Sequence, residues 1–238
     1  MFHGRSFTMP DAAPLYSGVP INYKGFRKLS VLCKANPDGI RKTLPPVFTP
    51  IGDIIEIFLM NVVEVDGLDP YMEGGIVIPC KYEDTVGAHV VYEYVTDDDS
   101  MAAGREIWGY PKKLAEMTFE ESGNSVHSTL TRRGVQLISI DFEKDNSVAD
   151  YLRPTMQPRL QLKRFVRADG TGFDMDQIIT NTLTGSTVRE QHLGNAKVTI
   201  NGSKQDPLEW FEPLGIVGSE FIVADFVLGY GKVLKEKY

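Results

Sequence analysis

Cysteine is scarce: Cys33 and Cys80 are the only two in 238 residues. Two thiols make neither the disulfide framework of a small secreted domain nor a four-ligand zinc site, so they read as small buried hydrophobes in a reducing, cytoplasmic compartment. His3, His89, His127 and His192 are scattered without ligand spacing, and no metal is expected. Positive charge is short as well, with 25 Lys and Arg against 32 Asp and Glu and a net charge of -7. That balance argues against broad nucleic-acid binding and against attachment to an anionic membrane, and leaves small molecules as the natural partners. No apolar run is long enough to span a bilayer, since Ile51 to Val65 is interrupted by Asp53, Glu56, Asn61 and Glu64. The first 16 residues lack a cationic stretch followed by an apolar one and read as an N-terminal arm rather than a secretory signal. HExxH, CxxC, GxSxG and GxxxxGK are all missing, and Gly229-Tyr230-Gly231 lacks the third glycine of a dinucleotide fingerprint. No cofactor is expected.

What is present is enough apolar and aromatic sequence for a sizeable core, with no internal repeat or low-complexity linker, which is most simply one domain over residues 1–238. Arg27 to Lys34 alternates as a strand, and Asn36-Pro37 opens a short helix that Pro45-Pro46 stops. Strand patterns follow at 54–65, 76–79 and 86–95, then at 117–119, 126–131, 135–142, 159–166, 178–183, 185–192, 197–200 and 221–230, with a short helix at 207–211. Many short strands and few helices predict an α+β, mainly antiparallel β domain whose sheets curl or close. The basic run Arg159, Lys163, Arg164 and Arg167 reads as a solvated strand face or a subunit contact, because stacking aromatics do not interleave it beyond Phe165.

The unusual stretch is Gly104-Arg105-Glu106-Ile107-Trp108-Gly109-Tyr110-Pro111-Lys112-Lys113-Leu114-Ala115. Asp97-Asp98-Asp99-Ser100 supplies capping residues for a helix that Gly109 and Pro111 end, and the proline stiffens the backbone that carries Lys112. An amine attacks carbon only when neutral, and an ordinary lysine is neutral in roughly 0.04 % of molecules at pH 7. Burial lowers a lysine pKa by up to about 3 to 5 units, whereas a second ammonium roughly 10 Å away supplies a little over one unit. Neighbours in an extended segment face opposite ways, so desolvation is expected to outweigh Lys113. By spacing alone, a solvated Lys-Lys pair at a helix end is the competing reading.

Gly-Arg-Glu followed by Tyr-Pro-Lys-Lys-Leu resembles the signature of the acetoacetate decarboxylase family. The resemblance extends to Tyr71 to Pro79, to Arg153-Pro154, and to Ser219-Glu220-Phe221-Ile222-Val223-Ala224-Asp225, so it covers nearly the whole chain. It implies a cone-like antiparallel β-barrel enclosing a buried cavity, with Lys112 as the imine-forming lysine and Lys113 as its pKa-perturbing cationic neighbour. Activation of such a lysine by desolvation or by a second cation is known of this family and arrives with the resemblance. Glu73, read as part of a glycine-rich loop, falls on an active-site glutamate. The family's second glutamate falls on Phe58 without a gap and on Glu56 with one. Its first-strand arginine falls on Phe26, with Arg27 one position away; Arg105 and Tyr110 complete the candidate substrate-binding set. One of the carboxylates is expected to be protonated or paired with Arg105 or Arg27.

The chemistry implied is cofactor-independent decarboxylation of a small β-keto acid, acetoacetate first, by a carboxy-lyase that assembles into a homo-oligomer. Another lysine-imine reaction on the same scaffold, such as aldol condensation and dehydration of pyruvate with an aldehyde, stays open, as do a non-catalytic binding module and a purely structural oligomer subunit.

Overall fold

The computed structural model describes residues 8–236. His3 and the first seven residues of the expected arm lie outside the described residues. The strands are β1 (Ile21–Lys34), β2 (Thr49–Pro50), β3 (Ile54–Val62), β4 (Glu64–Val65), β5 (Tyr71–Tyr82), β6 (Thr85–Val95), β7 (Lys112–Leu114) and β8 (Glu116–Ser122). They continue with β9 (Ser125–Arg132), β10 (Val135–Lys144), β11 (Arg159–Val166), β12 (Phe173–Asn181), β13 (Leu183–Ile200), β14 (Gly215–Leu228) and β15 (Lys232–Glu236). Helices α1 (Pro37–Thr43) and α2 (Asp98–Ala103) are short; a π-helical turn at Gly104–Trp108 extends α2, and a 3-10 turn covers Leu208–Phe211. Mainly antiparallel pairing runs β15-β12-β11-β6-β5-β3-β1-β14-β13-β10-β9-β8. The expected α+β class is therefore observed, but among the described residues the path ends at β8 and β15, so the sheet wraps a cavity without hydrogen-bonding into a closed barrel.

Both faces of the central strands are buried, which explains their nearly unbroken apolar sequence. Leu29, Val31 and Cys33 of β1 and Ile55, Ile57 and Leu59 of β3 pack into one core with Ile40 of α1 and Phe211. The alternate residues Phe26, Phe58 and Met60 belong to a second cluster, against Tyr71, Trp108, Tyr110 and Phe226. Cys33 and Cys80 are buried, and burial pushes their thiols up to about 11 and about 12. Among the described residues no helix is long and apolar enough to cross a membrane.

Three elements differ from expectation for local reasons. Glu73 lies inside β5, not in a glycine-rich loop, and that strand is longer than the apolar run at 76–79 announces. Gly75 serves close packing there: a Cβ would lie 2.1 Å from the Tyr92 carbonyl oxygen. The patterns at 185–192 and 197–200 are one strand, β13, because long edge-to-edge pairing with β14 and then β10 carries it across Gly194. Asp97 occupies the position before α2, yet its side chain makes no capping bond; Asp99 Oδ1 accepts from the Ser100 amide at 2.8 Å instead. The Asp97 carboxyl is half-buried, and burial together with Asp99 raises its pKa to about 8.

Candidate active site

Strand register brings the polar side chains of the cavity together. Lys112 on β7 pairs in parallel with Glu93 on β6, Glu93 lies opposite Gly75 on β5, Gly75 opposite Phe58 on β3, and Phe58 opposite Ser30 on β1. In the neighbouring row Glu73 lies opposite Met60, and Met60 opposite Lys28. Since residues two apart share a face, both rows point into one cavity of about 390 Å³.

Lys112 is 7 % exposed. Its Nζ donates to Glu73 Oε2 at 2.7 Å and to Ser100 Oγ at 3.1 Å, and it sits 5.4 Å from the centre of the Tyr71 ring. Tyr71 also donates to Glu73 Oε2 at 3.3 Å, and the Tyr23 and Tyr71 hydroxyls are 3.2 Å apart. The helical turn before the lysine approaches it closely, because a Cβ on Gly104 would lie 2.6 Å from Lys112 Cδ. The segment is fixed from outside by Arg105 Nη1, which donates to the Lys112 carbonyl at 3.1 Å, and by the Tyr110 amide, which donates to the Gly104 carbonyl at 3.0 Å.

The electrostatics correct the expected lowering of the Lys112 pKa. Burial acts in that direction, as the largest single influence, but the Glu73 and Glu93 carboxyls, Tyr23 and the hydrogen bond to Glu73 together raise it. The unliganded lysine is thus an ammonium held by Glu73. Glu93, missed by sequence reasoning because it stands in an ordinary strand pattern, is 4 % exposed and is pushed well above the carboxylate range by burial and then by Glu73. It lies beside the ion pair in surroundings that favour its neutral form. Lys113 faces the other way, as strand geometry requires, and donates to Asp206 Oδ1 at 2.6 Å. Asp206 also accepts from Tyr94 at 3.0 Å and Arg132 at 3.2 Å, so Lys113 is part of a clamp behind β7.

Glu56 and Phe58 both line the cavity, as do Phe26 and Tyr110. Glu56 accepts from Lys28 at 2.5 Å and Ser30 at 2.8 Å. Burial alone would raise its pKa, but Lys28, Arg159 and these bonds bring it down to about 2. Tyr110 exchanges hydrogen bonds with Asn181 at 3.0 and 3.2 Å.

Neither expected arginine lines the cavity, and neither pairs with Glu73 or Glu56. Arg27 points to the opposite face of β1 and meets Glu121 at 2.8 Å; a bulge between Tyr23 and Phe26 fixes the phase in which Phe26, Lys28 and Ser30 face inward. Arg105 is spent on the backbone. The arginines that line the cavity are instead Arg153 and Arg159, the latter read from sequence as part of an outward basic face. Arg159 Nη2 lies 3.8 Å from Glu56 Oε2, and its Nη1 is buried without a hydrogen-bond partner among the described residues. Its position at the start of β11, next to Ala88 of β6, turns it inward, and only the pairing reveals that. Among the described residues no group of three or more His, Cys, Asp and Glu side chains is arranged to hold a metal ion.

Fold and site together define a mainly antiparallel α+β protein with a buried lysine–carboxylate centre at a cavity. The chain belongs to the acetoacetate decarboxylase family, whose profile, described as Acetoacetate decarboxylase (ADC), matches residues 8–238. An acetoacetate decarboxylase of Burkholderia ambifaria (strain MC40-6) is 25 % identical over 233 residues, covering 97 % of this chain and 94 % of that one. Acetoacetate decarboxylase 1 of Mesorhizobium japonicum is 25 % identical over 236 residues, covering 98 % and 95 %. The crystal structure of acetoacetate decarboxylase from Legionella pneumophila superposes with a TM-score of 0.88 at 22 % identity, over 99 % and 96 % of the two chains. The enduracididine biosynthesis enzyme MppR, solved in complex with pyruvate, reaches 0.83 at 15 % identity over 97 % and 98 %. At those identities the likeness is one of fold.

Proposed function

We propose that the protein is a cofactor-independent lyase that decarboxylates a β-keto acid through an imine on Lys112. The observation that carries this reading is the buried triad of Lys112, Glu73 and Glu93. Glu73, 2.7 Å from Nζ, takes the ammonium proton, and the neutral amine attacks the keto carbon. The protonated glutamate returns the proton to the carbinolamine hydroxyl, which leaves as water. The resulting iminium nitrogen receives the electron pair of the breaking carbon–carboxylate bond, CO2 departs, and the enamine is protonated at carbon by Glu93, or by Glu73 once it has taken a proton from solvent. Hydrolysis frees the ketone and the lysine. An anion at Glu73 and apolar walls also disfavour the charged substrate carboxylate more than the charge-dispersed transition state. Acetoacetate is the first substrate to test, on the strength of the relatives named for it.

A second reading is favoured by Arg159. A buried guanidinium nitrogen without a hydrogen-bond partner among the described residues suits a carboxylate that is kept, as in aldol condensation of pyruvate with an aldehyde. A fold neighbour, MppR, has been solved with the condensation product of pyruvate and imidazole 4-carboxaldehyde. The test is CO2 release over a panel of β-keto acids, with wild type and Lys112→Ala. The decarboxylase reading expects release from at least one acid that disappears in the variant. No enzyme-dependent release from any acid overturns it, and carbon–carbon bond formation from pyruvate then supports the second reading.

A further inference from the structure

The cavity is larger than a four-carbon acid needs. Its volume of about 390 Å³ falls in the range of roughly 300 to 1,000 Å³ that encloses drug-sized ligands. Its surface is divided. One part carries Lys112, Glu73 and Glu93, with Lys28, Glu56, Arg153 and Arg159 beyond them; another is mainly apolar, formed by Ile21, Phe26, Leu183, Ile222, Phe226 and Leu228, although Ser186, Glu220 and Asp225 on the same strands also line the cavity. Ile21 on β1 and Leu183 on β13 both pair with Leu228 on β14, so the apolar part is a continuous surface across three strands. It is also stiff. Phe226 stacks on Tyr23 with ring centres 4.2 Å apart and meets Phe26 edge-on at 5.0 Å, an arrangement that cannot collapse onto a small substrate without losing those contacts.

In a β-keto acid the carboxylate is only one carbon from the keto group, so both reacting ends stay at the polar part once the carbonyl has met Lys112. Whatever lies on the far side of the keto carbon is directed at the apolar surface. We infer that the preferred substrate is a 3-oxo acid whose keto carbon bears an apolar chain or ring well beyond methyl, seated between Ile21, Leu183, Ile222 and Leu228. The inference rests on the imine reading of Lys112 and deepens it to a substrate class.

The test compares kcat/KM for CO2 release from 3-oxobutanoate, 3-oxohexanoate and 3-oxooctanoate, alongside borohydride capture of acetone, 2-pentanone and 2-heptanone on Lys112. Each buried methylene should raise kcat/KM by roughly fourfold until the far wall is reached, so hexanoate should exceed butanoate by about tenfold or more. The ketone concentration for half-maximal capture should fall in the same order. Leu183→Trp, which fills the apolar part, should cut the octanoate-to-butanoate ratio at least tenfold, and Ile222→Phe should lower it by a smaller factor. A kcat/KM that is flat or highest for 3-oxobutanoate overturns the substrate class while leaving decarboxylation intact. If no acid releases CO2 but ketone capture tightens with length, the decarboxylase reading fails and the apolar subsite stands; capture that ignores length overturns the subsite. An unchanged ratio in both variants overturns its location.

Discussion

Burial makes the Lys112 ammonium a stronger acid, and the carboxyls around it make it a weaker one; the second effect wins in the unliganded protein. Desolvation alone, the mechanism that sequence reasoning favours, therefore does not describe the resting state. On the proposed route the proton goes to Glu73, the only carboxylate hydrogen-bonded to Nζ among the described residues. Glu73→Gln removes that acceptor and should lower kcat by roughly 10² or more. Glu93 behaves differently because burial, and then Glu73, hold its pKa well above the carboxylate range, which favours its neutral form. A neutral glutamine imitates that form, so Glu93→Gln should stay within about tenfold of wild type at pH 7 if Glu73 delivers the proton to carbon. As pH rises, ionisation of Glu93 adds a second anion beside the lysine; the variant should lose whatever alkaline limb this produces. Parallel pH profiles of kcat for the three proteins check both statements. At this scale the motif at 104–115 made Lys112 legible. Glu93, Arg159 and Lys28 were not, since an isolated charge in a strand pattern reads as a solvent-facing residue until the opposite face is known to border a cavity.

The element that aims the lysine is the π-helical turn Gly104–Trp108, which closes on Gly109 in a left-handed conformation, φ 79°, before β7 begins. The turn packs its first residue against the aliphatic stem of Lys112, leaving no room for a methyl group. The Gly104 backbone, φ -59°, is acceptable for alanine, so Gly104→Ala should fold normally while displacing the side chain by a fraction of an ångström to an ångström. Misplacement on that scale costs up to about 10² in rate. A loss of kcat with an unchanged melting temperature is the expected result; wild-type kcat would show that the lysine does not need this packing. Strands and turns at this level were largely readable, because period-two alternation and proline or glycine punctuation are local properties. The extent of β5, the continuity of β13 and the presence of β15 were not, because pairing partners decide them.

For the whole molecule, one bulge and one strand pairing decide which charges meet. The bulge before Phe26 fixes the phase of β1, so Lys28 enters the cavity and Arg27 leaves it; the contact of β11 with β6 carries Arg159 inward. Sequence gives the class of fold through alternation and resemblance, but the sign of a face depends on distant register, which a one-residue shift reverses. Imine decarboxylation on Lys112 is the claim on which the rest depends, and one measurement reaches it directly: peptide mass analysis after borohydride is added during the first turnovers with a β-keto acid, before uncatalysed loss of CO2 is appreciable. The expected result is a single adduct on the peptide carrying Lys112, assigned by fragmentation to that residue, with the mass of the reduced imine of the ketone product, the carboxylate gone. An adduct on Lys113, an adduct that retains the carboxylate without accompanying CO2, or no adduct at all would contradict it.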